Sequence, residues 1–136
     1  MTQTQYHGKR STVMVPVPAG VKKWAKKAFE MKKAGFKGAT ETGWKRAKQL
    51  ATKDKISIED LRYMRNWYAR HAYTSYPGFK EWKDARKPID EKKWHNKRSI
   101  IAWVTWGADP GLKWVNSKTA LLNKVFNKNY EKISVK

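Results

Sequence analysis

The residues of this chain that could do catalytic chemistry are three histidines, eleven carboxylates and several serines. His7, His71 and His95 are scattered and lack the spacing of metal ligands. No G-x-S-x-G pattern surrounds a serine, and most carboxylates stand among lysines rather than as an isolated pair. These patterns favour a protein that is not an enzyme, with no metal, no cofactor and no small-molecule substrate.

One stretch has a composition that would allow it to cradle a phosphate, namely residues 107–111, with the sequence GADPG. It lacks both the Walker spacing and the dinucleotide fingerprint, so a packing role is favoured. Gly107 suits the left-handed position that ends a helix, Asp109 can cap the next helix, and Pro110 fits its first turn. Large apolar rings flank this stretch and predict the centre of a small core: Trp103, Trp106 and Trp114.

Lysine dominates the charged residues. The chain has 31 basic and 11 acidic side chains, which gives a formal net charge of +20 and a pI of about 10.2. Such a charge repels itself in the compact state and implies an anionic partner. Lysine is a hydrated point charge, whereas arginine makes the bidentate fork that reads guanine, so sequence-independent attraction is expected. The candidate binding residues are Lys22, Lys23, Lys26, Lys27, Lys33, Lys45, Arg46 and Lys48.

Apolar residues recur every three or four positions and predict helices that would carry these lysines. The first helix is expected over residues 19–34 and ends at Gly35; the second spans 40–52 with Thr40 as its cap. A third begins after Ser57, and residues 75–97 are expected to be largely irregular, with a short helix near 79–86. A fourth helix leads into the tryptophans and a fifth follows them to Phe126.

The predicted fold is therefore an all-α, compact single domain of four to six short helices around a Trp-rich core. An extended N-terminal arm covers residues 1–18, the helical domain 19–126, and a basic tail 127–136. His71 falls on the apolar side of the third helix and is expected to be a core-edge histidine bonded to a backbone carbonyl.

The arm contains an alternating apolar pattern at Val13, Val15 and Val17, interrupted by prolines at 16 and 18. Proline forbids a helix and a central strand, so this segment is expected to be extended or an edge strand. The three valines are candidates for contact with a partner chain. The pattern is equally compatible with packing along a neighbouring subunit and along the domain's own flank.

Cysteine is absent, which excludes disulfides and cysteine-ligated zinc. No apolar run approaches the length that spans a membrane, and the N-terminus has no signal-peptide core. We expect a soluble protein that is intracellular until it is packaged or bound.

Two segments, residues 38–71 and 100–111, resemble a small domain of unknown function. That domain recurs in large DNA viruses of eukaryotes and in tailed phages, alone or beside head-structure modules. The shared features are a Gly-rich helix, a Met-x-x-x-aromatic-aromatic-x-Arg-His helix and an AW-x-x-WGGD-x-G-like corner. Here Ala108 replaces the second glycine and Pro110 follows Asp109. The resemblance implies a viral, virion-associated protein and brings no activity or catalytic residue.

Two functions remain open at this point. The first is a minor capsid or structural protein whose lysines meet viral DNA, an inner membrane or acidic capsid proteins, and whose arm reaches neighbouring subunits. Its localisation would be the virion, after the host cytoplasm or nucleus. The second is a protein that coats or condenses nucleic acid without sequence preference.

Overall fold

The computed structural model describes residues 13–135, which form seven helices and one small sheet. In chain order these elements are β1 (Met14–Pro16), α1 (Ala19–Ala34), α2 (Glu41–Thr52), β2 (Lys55–Ser57), α3 (Ile58–Asp84), α4 (Lys92–His95), α5 (Arg98–Thr105), α6 (Ala108–Ser117) and α7 (Thr119–Phe126). The all-α fold with a Trp-rich core is confirmed. Of the eight tryptophans, six are buried and two are half-buried.

The number of helices is larger than the expected four to six for two local reasons. The four residues of α4 form a single turn. The predicted fifth helix breaks at Lys118 into α6 and α7. At the break, the Ser117 hydroxyl donates to the carbonyl of Trp114 (2.7 Å) and the Thr119 hydroxyl to that of Asn116 (2.9 Å). Such side-chain bonds compete with the backbone bonds of a continuous helix.

The first two helices begin and end close to the predicted residues. Gly35 ends α1 with a φ of +119°. The Thr40 hydroxyl caps α2 by accepting a hydrogen bond from the N–H of Gly43 at 3.0 Å. Likewise, the Ser57 hydroxyl accepts from the N–H of Asp60 at 3.1 Å and caps α3. These three helix ends coincide with local signals that the sequence alone provides.

The expectation for residues 75–97 was wrong in one respect: the helix expected near 79–86 is not separate, because α3 continues through Pro77 to Asp84. Phe79 and Trp82 are fully buried and extend the helical spacing of the buried residues. Their burial offsets the loss of one backbone hydrogen bond at the proline. Gly78 permits close packing on α5, since a Cβ there would lie 2.1 Å from the Ser99 hydroxyl.

Of the two placements left open for Val13, Val15 and Val17, the structure has the one along the domain's own flank: Val15 and Val17 are buried in the protein's own core and Val13 packs against it. β1 pairs antiparallel with β2, with Val15 opposite Ile56. The Ile58 N–H donates to the carbonyl of Val13, and the Val17 N–H to that of Asp54, both at 2.8 Å. Residues 13–17 are thus an integral edge of the domain; residues 1–12 of the predicted arm lie outside the described part.

Residues 127–135 form neither helix nor strand, yet they lie against the domain. Asn116 makes two hydrogen bonds with the backbone of Ile133, one to its carbonyl (2.8 Å) and one from its N–H (2.9 Å). Asn123 holds the backbone of Tyr130 in the same way, at 3.1 and 2.7 Å. This part of the predicted tail is anchored at two points.

Candidate nucleic-acid interface

Four lysines of α1 project from the side opposite its buried stripe. The core side is formed by Val21, Ala25, Ala28 and Met31. Lys23, Lys26 and Lys33 are exposed and Lys27 is half-buried. Within residues 13–135, no carboxylate oxygen lies within 4.0 Å of any of these four ammonium groups. The only acid of α1, Glu30, is exposed on the same side and offsets part of this charge, so four lysines share one carboxylate that none of them contacts within 4.0 Å.

The second helix extends this positive surface because it lies antiparallel to α1. Contacts at both ends define the register: the ammonium of Lys22 donates to the Lys53 carbonyl (2.9 Å), and the ring of Phe29 packs on Trp44 with centroids 5.5 Å apart. This register places the exposed Lys48 across from Lys26, near the middle of both helices. Six of the predicted binding lysines lie on this surface, and we call them the lysine face: Lys23, Lys26, Lys27, Lys33, Lys45 and Lys48.

Lys45 stands at the edge of the lysine face and has only a weak partner. Its ammonium lies 3.8 Å from the Glu41 carboxylate, and the two side chains are 78% and 85% exposed. An ion pair with that exposure contributes little and competes poorly with an external anion. Beside it lies an open depression of about 290 Å³ lined by Thr42, Lys45, Arg46 and Gln49, which contains no acid.

Two of the predicted binding residues have structural partners instead. Lys22 is half-buried and bridges to Asp54 at 3.2 Å as well as to the Lys53 carbonyl. The side chain of Arg46 is only 10% exposed. It pairs with Asp60 at 3.4 Å and its guanidinium stacks over the Trp106 ring at 5.3 Å. Arg46 is committed to the fold, and Lys22 is directed toward the Lys53 carbonyl and Asp54, so both are less free to reach a phosphate than the exposed lysines.

Burial dominates the electrostatics of Arg46. Its pKa is lowered from the usual value, because desolvation penalises the charged form more than the nearby Asp60 favours it. The Gln49 amide oxygen also accepts from this guanidinium, whereas its Nε has no hydrogen-bond partner among the described residues. Sequence alone cannot separate this inward cation from Lys45 and Lys48, because all three lie outside the strict apolar stripe.

The stretch whose composition would allow it to cradle a phosphate is filled by protein. We call residues 103–111, which comprise this stretch and the rings of Trp103 and Trp106 before it, the tryptophan corner. The hydroxyl of Tyr68 shares its proton between the carbonyls of Trp106 (2.9 Å) and Ala108 (2.8 Å). A Cβ on Gly111 would lie 2.2 Å from that hydroxyl. Burial, followed by the nearby Asp109, raises the pKa of Tyr68 well above its usual value.

Asp109 does not cap α6, contrary to the prediction from sequence. Gly107 occupies the cap position with a φ of +109°, and Asp109 lies in the first turn. Its carboxylate accepts a hydrogen bond from the Trp103 indole N–H at 2.9 Å and pairs with Lys83 at 3.2 Å. The Asp109 carboxylate thus accepts the hydrogen bond of a buried indole N–H. This supports a packing role for the corner over a ligand site.

His71 is at the core edge, as expected, but its ring stacks on Trp67 with centroids 4.7 Å apart. Within residues 13–135, its ring makes no hydrogen bond to a backbone carbonyl, contrary to the expectation. Partial burial and the neighbouring Arg70 lower the pKa of His71 below its usual value. Within residues 13–135, no group of three histidines and carboxylates is arranged to hold a metal ion.

Sequence reasoning missed the outer side of α3. Tyr73 is 82% exposed and Tyr63 is 49% exposed. Arg70 is exposed beside them, and no carboxylate oxygen among the described residues lies within 4.0 Å of its guanidinium. The available signal was the absence of any acid from residue 61 to residue 80.

Comparisons with known proteins give this surface no precedent: no family model, no curated protein and no solved structure matches the chain. In the part of the chain from 13 to 135, no helix combines the length and the apolarity needed to cross a bilayer.

Proposed function

We propose that this protein binds the phosphate backbone of nucleic acid through the lysine face, without sequence preference and without catalysing a reaction. The observation that carries the proposal is the set of exposed lysines on α1 and α2 that have no carboxylate partner or only a loose one. Lysine ammonium groups position a protein on phosphates and carry little base information.

The spatial arrangement favours a duplex over a small anion. Lys23 and Lys33 are ten residues apart, which separates them by about 15 Å along the helix. Lys26 and Lys48 widen the positive surface across the helix pair. A surface of this length suits a polyanion with charges in series, since a duplex carries one charge per about 1.7 Å of its axis. The non-enzymatic part of the proposal agrees with the lysine composition and with the filled tryptophan corner.

We further propose that the nucleic acid is a viral genome and that the protein is a minor component of the virus particle. The support is the resemblance of residues 38–71 and 100–111 to the viral domain described above. The partner contact predicted for Val15 and Val17 is not part of this proposal, because these side chains belong to the core. Contacts to capsid proteins would instead be made by exposed surfaces of the domain.

The binding test uses two unrelated 20-base-pair duplexes and a salt titration. The variant Lys23→Gln/Lys26→Gln/Lys48→Gln lowers the net charge from +20 to +17, since 20 − 3 = 17. A matched control makes the same charge change elsewhere, at the exposed Lys124, Lys128 and Lys132. Each duplex contact contributes about 0.9 to the slope of log affinity against log salt, so the first variant should lose up to about 2.7.

The control should keep most of the parent slope, and the two duplexes should bind equally. Equal losses in both variants would show that total charge, not the lysine face, drives binding. Tighter binding to phosphatidylserine vesicles than to either duplex at the same salt would replace the nucleic acid by a membrane. For the particle role, the protein should be found by mass spectrometry in purified, washed virions of the encoding virus; its absence there would reject that role.

A further inference from the structure

The outer side of α3 carries the most exposed aromatic ring in the described part of the chain. Tyr73 is 82% exposed, and Tyr63, at 49%, lies ten residues before it on the same helix. The only other large apolar side chain exposed within residues 13–135 is Met14. The tryptophans, by contrast, are all at least partly buried. The ring of Tyr73 has most of its surface in water, so both of its faces are open to a ligand.

These tyrosines belong to one stripe of the helix. Tyr63, Asn66, Arg70 and Tyr73 follow each other at intervals of three, four and three residues, which places them on one side. The distance from Tyr63 to Tyr73 along the axis is about 15 Å, and Arg70 lies between them. We call these four residues the α3 stripe.

The two acids beside Tyr63, Glu59 and Asp60, are paired with Arg62 and Arg46, and beyond them the charge along the α3 stripe is positive. No acid occurs from residue 61 to residue 80, whereas Arg62, Arg65, Arg70 and Lys80 do. The half-buried guanidinium of Arg62 lies 4.5 Å from the ring centroid of Phe126 and 5.6 Å from that of Tyr63, and that of Arg65 lies 4.1 Å from Tyr130. Arg70 is therefore the exposed guanidinium of the stripe, and Tyr73 is its fully available ring. Arginine differs from lysine in that its planar group both stacks on rings and grips a phosphate with two hydrogen bonds.

From this combination we infer that the α3 stripe binds single-stranded nucleic acid by stacking unpaired bases on Tyr73 and Tyr63 while Arg70 holds the backbone. Stacking on an exposed ring requires a free base face, which a duplex does not offer along its length. Base–aromatic stacking is tolerant of sequence, and positive grooves with aromatic rings are the usual means of holding single strands. This site lies on a different helix from the lysine face and goes beyond the duplex binding proposed above.

The experiment measures fluorescence anisotropy of the full chain with a labelled 15-nucleotide oligo(dT) and with a 15-base-pair duplex. Tyr73→Ala should weaken oligo(dT) binding by about 5- to 150-fold and leave duplex binding within about twofold. Tyr73→Phe keeps the ring and should match the parent. Thr74→Ala, a truncation of the exposed neighbouring residue, is the control and should also match the parent.

Arg70→Lys keeps the charge but loses the planar fork, so it should weaken oligo(dT) binding several-fold and leave the duplex unaffected. Unchanged oligo(dT) affinity in Tyr73→Ala would overturn the inference, and so would an equal loss in Tyr73→Phe or an equal loss for the duplex. Tighter binding of poly-glutamate than of oligo(dT), with the same dependence on Tyr73, would assign the stripe to an acidic protein instead.

The lysine-face variant separates this inference from the proposed function. Tyr73→Ala is made both in the parent chain and in Lys23→Gln/Lys26→Gln/Lys48→Gln, and its fold-loss of oligo(dT) affinity should be the same in both, even where duplex binding is lost. If the duplex never binds but this fold-loss persists, the lysine proposal fails and the α3 stripe stands. If duplex binding behaves as proposed and Tyr73→Ala causes no loss of oligo(dT) affinity, the lysine proposal stands and the inference about the α3 stripe fails.

Discussion

The tryptophan corner and the lysine face are the two most conspicuous features of the sequence, and they are opposite in construction. In the corner, the polar groups have specific partners: the Tyr68 hydroxyl, the Trp103 indole N–H and the Asp109 carboxylate satisfy each other or nearby backbone. On the lysine face, cations such as Lys23 and Lys26 have no carboxylate partner among the described residues.

This difference separates stability from binding. A buried polar group that loses its partner costs free energy, so the corner tolerates little change. Exposed like charges repel one another and destabilise the folded state. Salt or a bound anion relieves this repulsion. Substitutions in the corner should therefore act on unfolding, and substitutions on the lysine face should act on association.

The largest effect is expected for Trp103→Ala. The ring is fully buried and packs edge-on against Tyr68 with centroids 4.9 Å apart. Its removal should lower the free energy of unfolding by roughly 3–5 kcal/mol, measured by urea denaturation. The control is Tyr73→Ala, which truncates an exposed ring and should change stability by less than about 0.5 kcal/mol. Equal losses in the two variants would contradict the comparison.

A smaller loss is expected for Val15→Ala, which tests the correction to the N-terminal arm. Val15 is 2% exposed and pairs with Ile56. Losing two buried carbons and leaving a cavity should cost about 2 kcal/mol. Met14→Ala, on the exposed side of the same strand, is the matched control and should have little effect. A melting temperature equal to the parent's for Val15→Ala would mean that this strand is not part of the core.

A small effect of the opposite sign is expected for the lysine-face variant Lys23→Gln/Lys26→Gln/Lys48→Gln. Removing like charges that repel one another should raise stability by about 0.5–1 kcal/mol at low salt, at a few tenths per pair. The gain should vanish near 1 M salt, where the screening length falls to about 3 Å. A loss of stability at low salt would show that these lysines have structural partners and would break the comparison.

The smallest effect concerns His71, where the buried aromatic cluster meets the exposed cations. The pKa of His71 is lowered in the folded protein, so the unfolded chain binds the proton more readily. The contribution of neutral His71 to the free energy of unfolding should therefore be complete above pH 6.5, which is about the pKa of histidine in the unfolded chain. It should be lost as the pH falls from there toward the lower pKa of the folded state. His71→Gln should remove this part of the pH dependence; melting curves between pH 8 and 5 that overlay the parent's would contradict it.

Several features followed from the sequence because their causes are local. The ends at Gly35, Thr40 and Ser57 depend on left-handed backbone and on side-chain caps a few residues away. The burial of Trp103 followed from its apolar neighbourhood, and the positive surface from the excess of lysine. Composition also favoured an anionic partner, because charge acts at a distance and needs no particular fold.

Other features depended on which segments meet in three dimensions. In the sequence, Pro77 indicates the end of a helix, but the burial of Phe79 and Trp82 keeps α3 helical beyond it. Val15 similarly falls in an apparent arm, but its strand pairs with β2. Arg46 turns inward because Asp60 and Trp106 lie beside it, although nothing in its own helix distinguishes it from Lys45. Spacing along one helix defines its faces, but only the packing of other helices decides which face meets solvent.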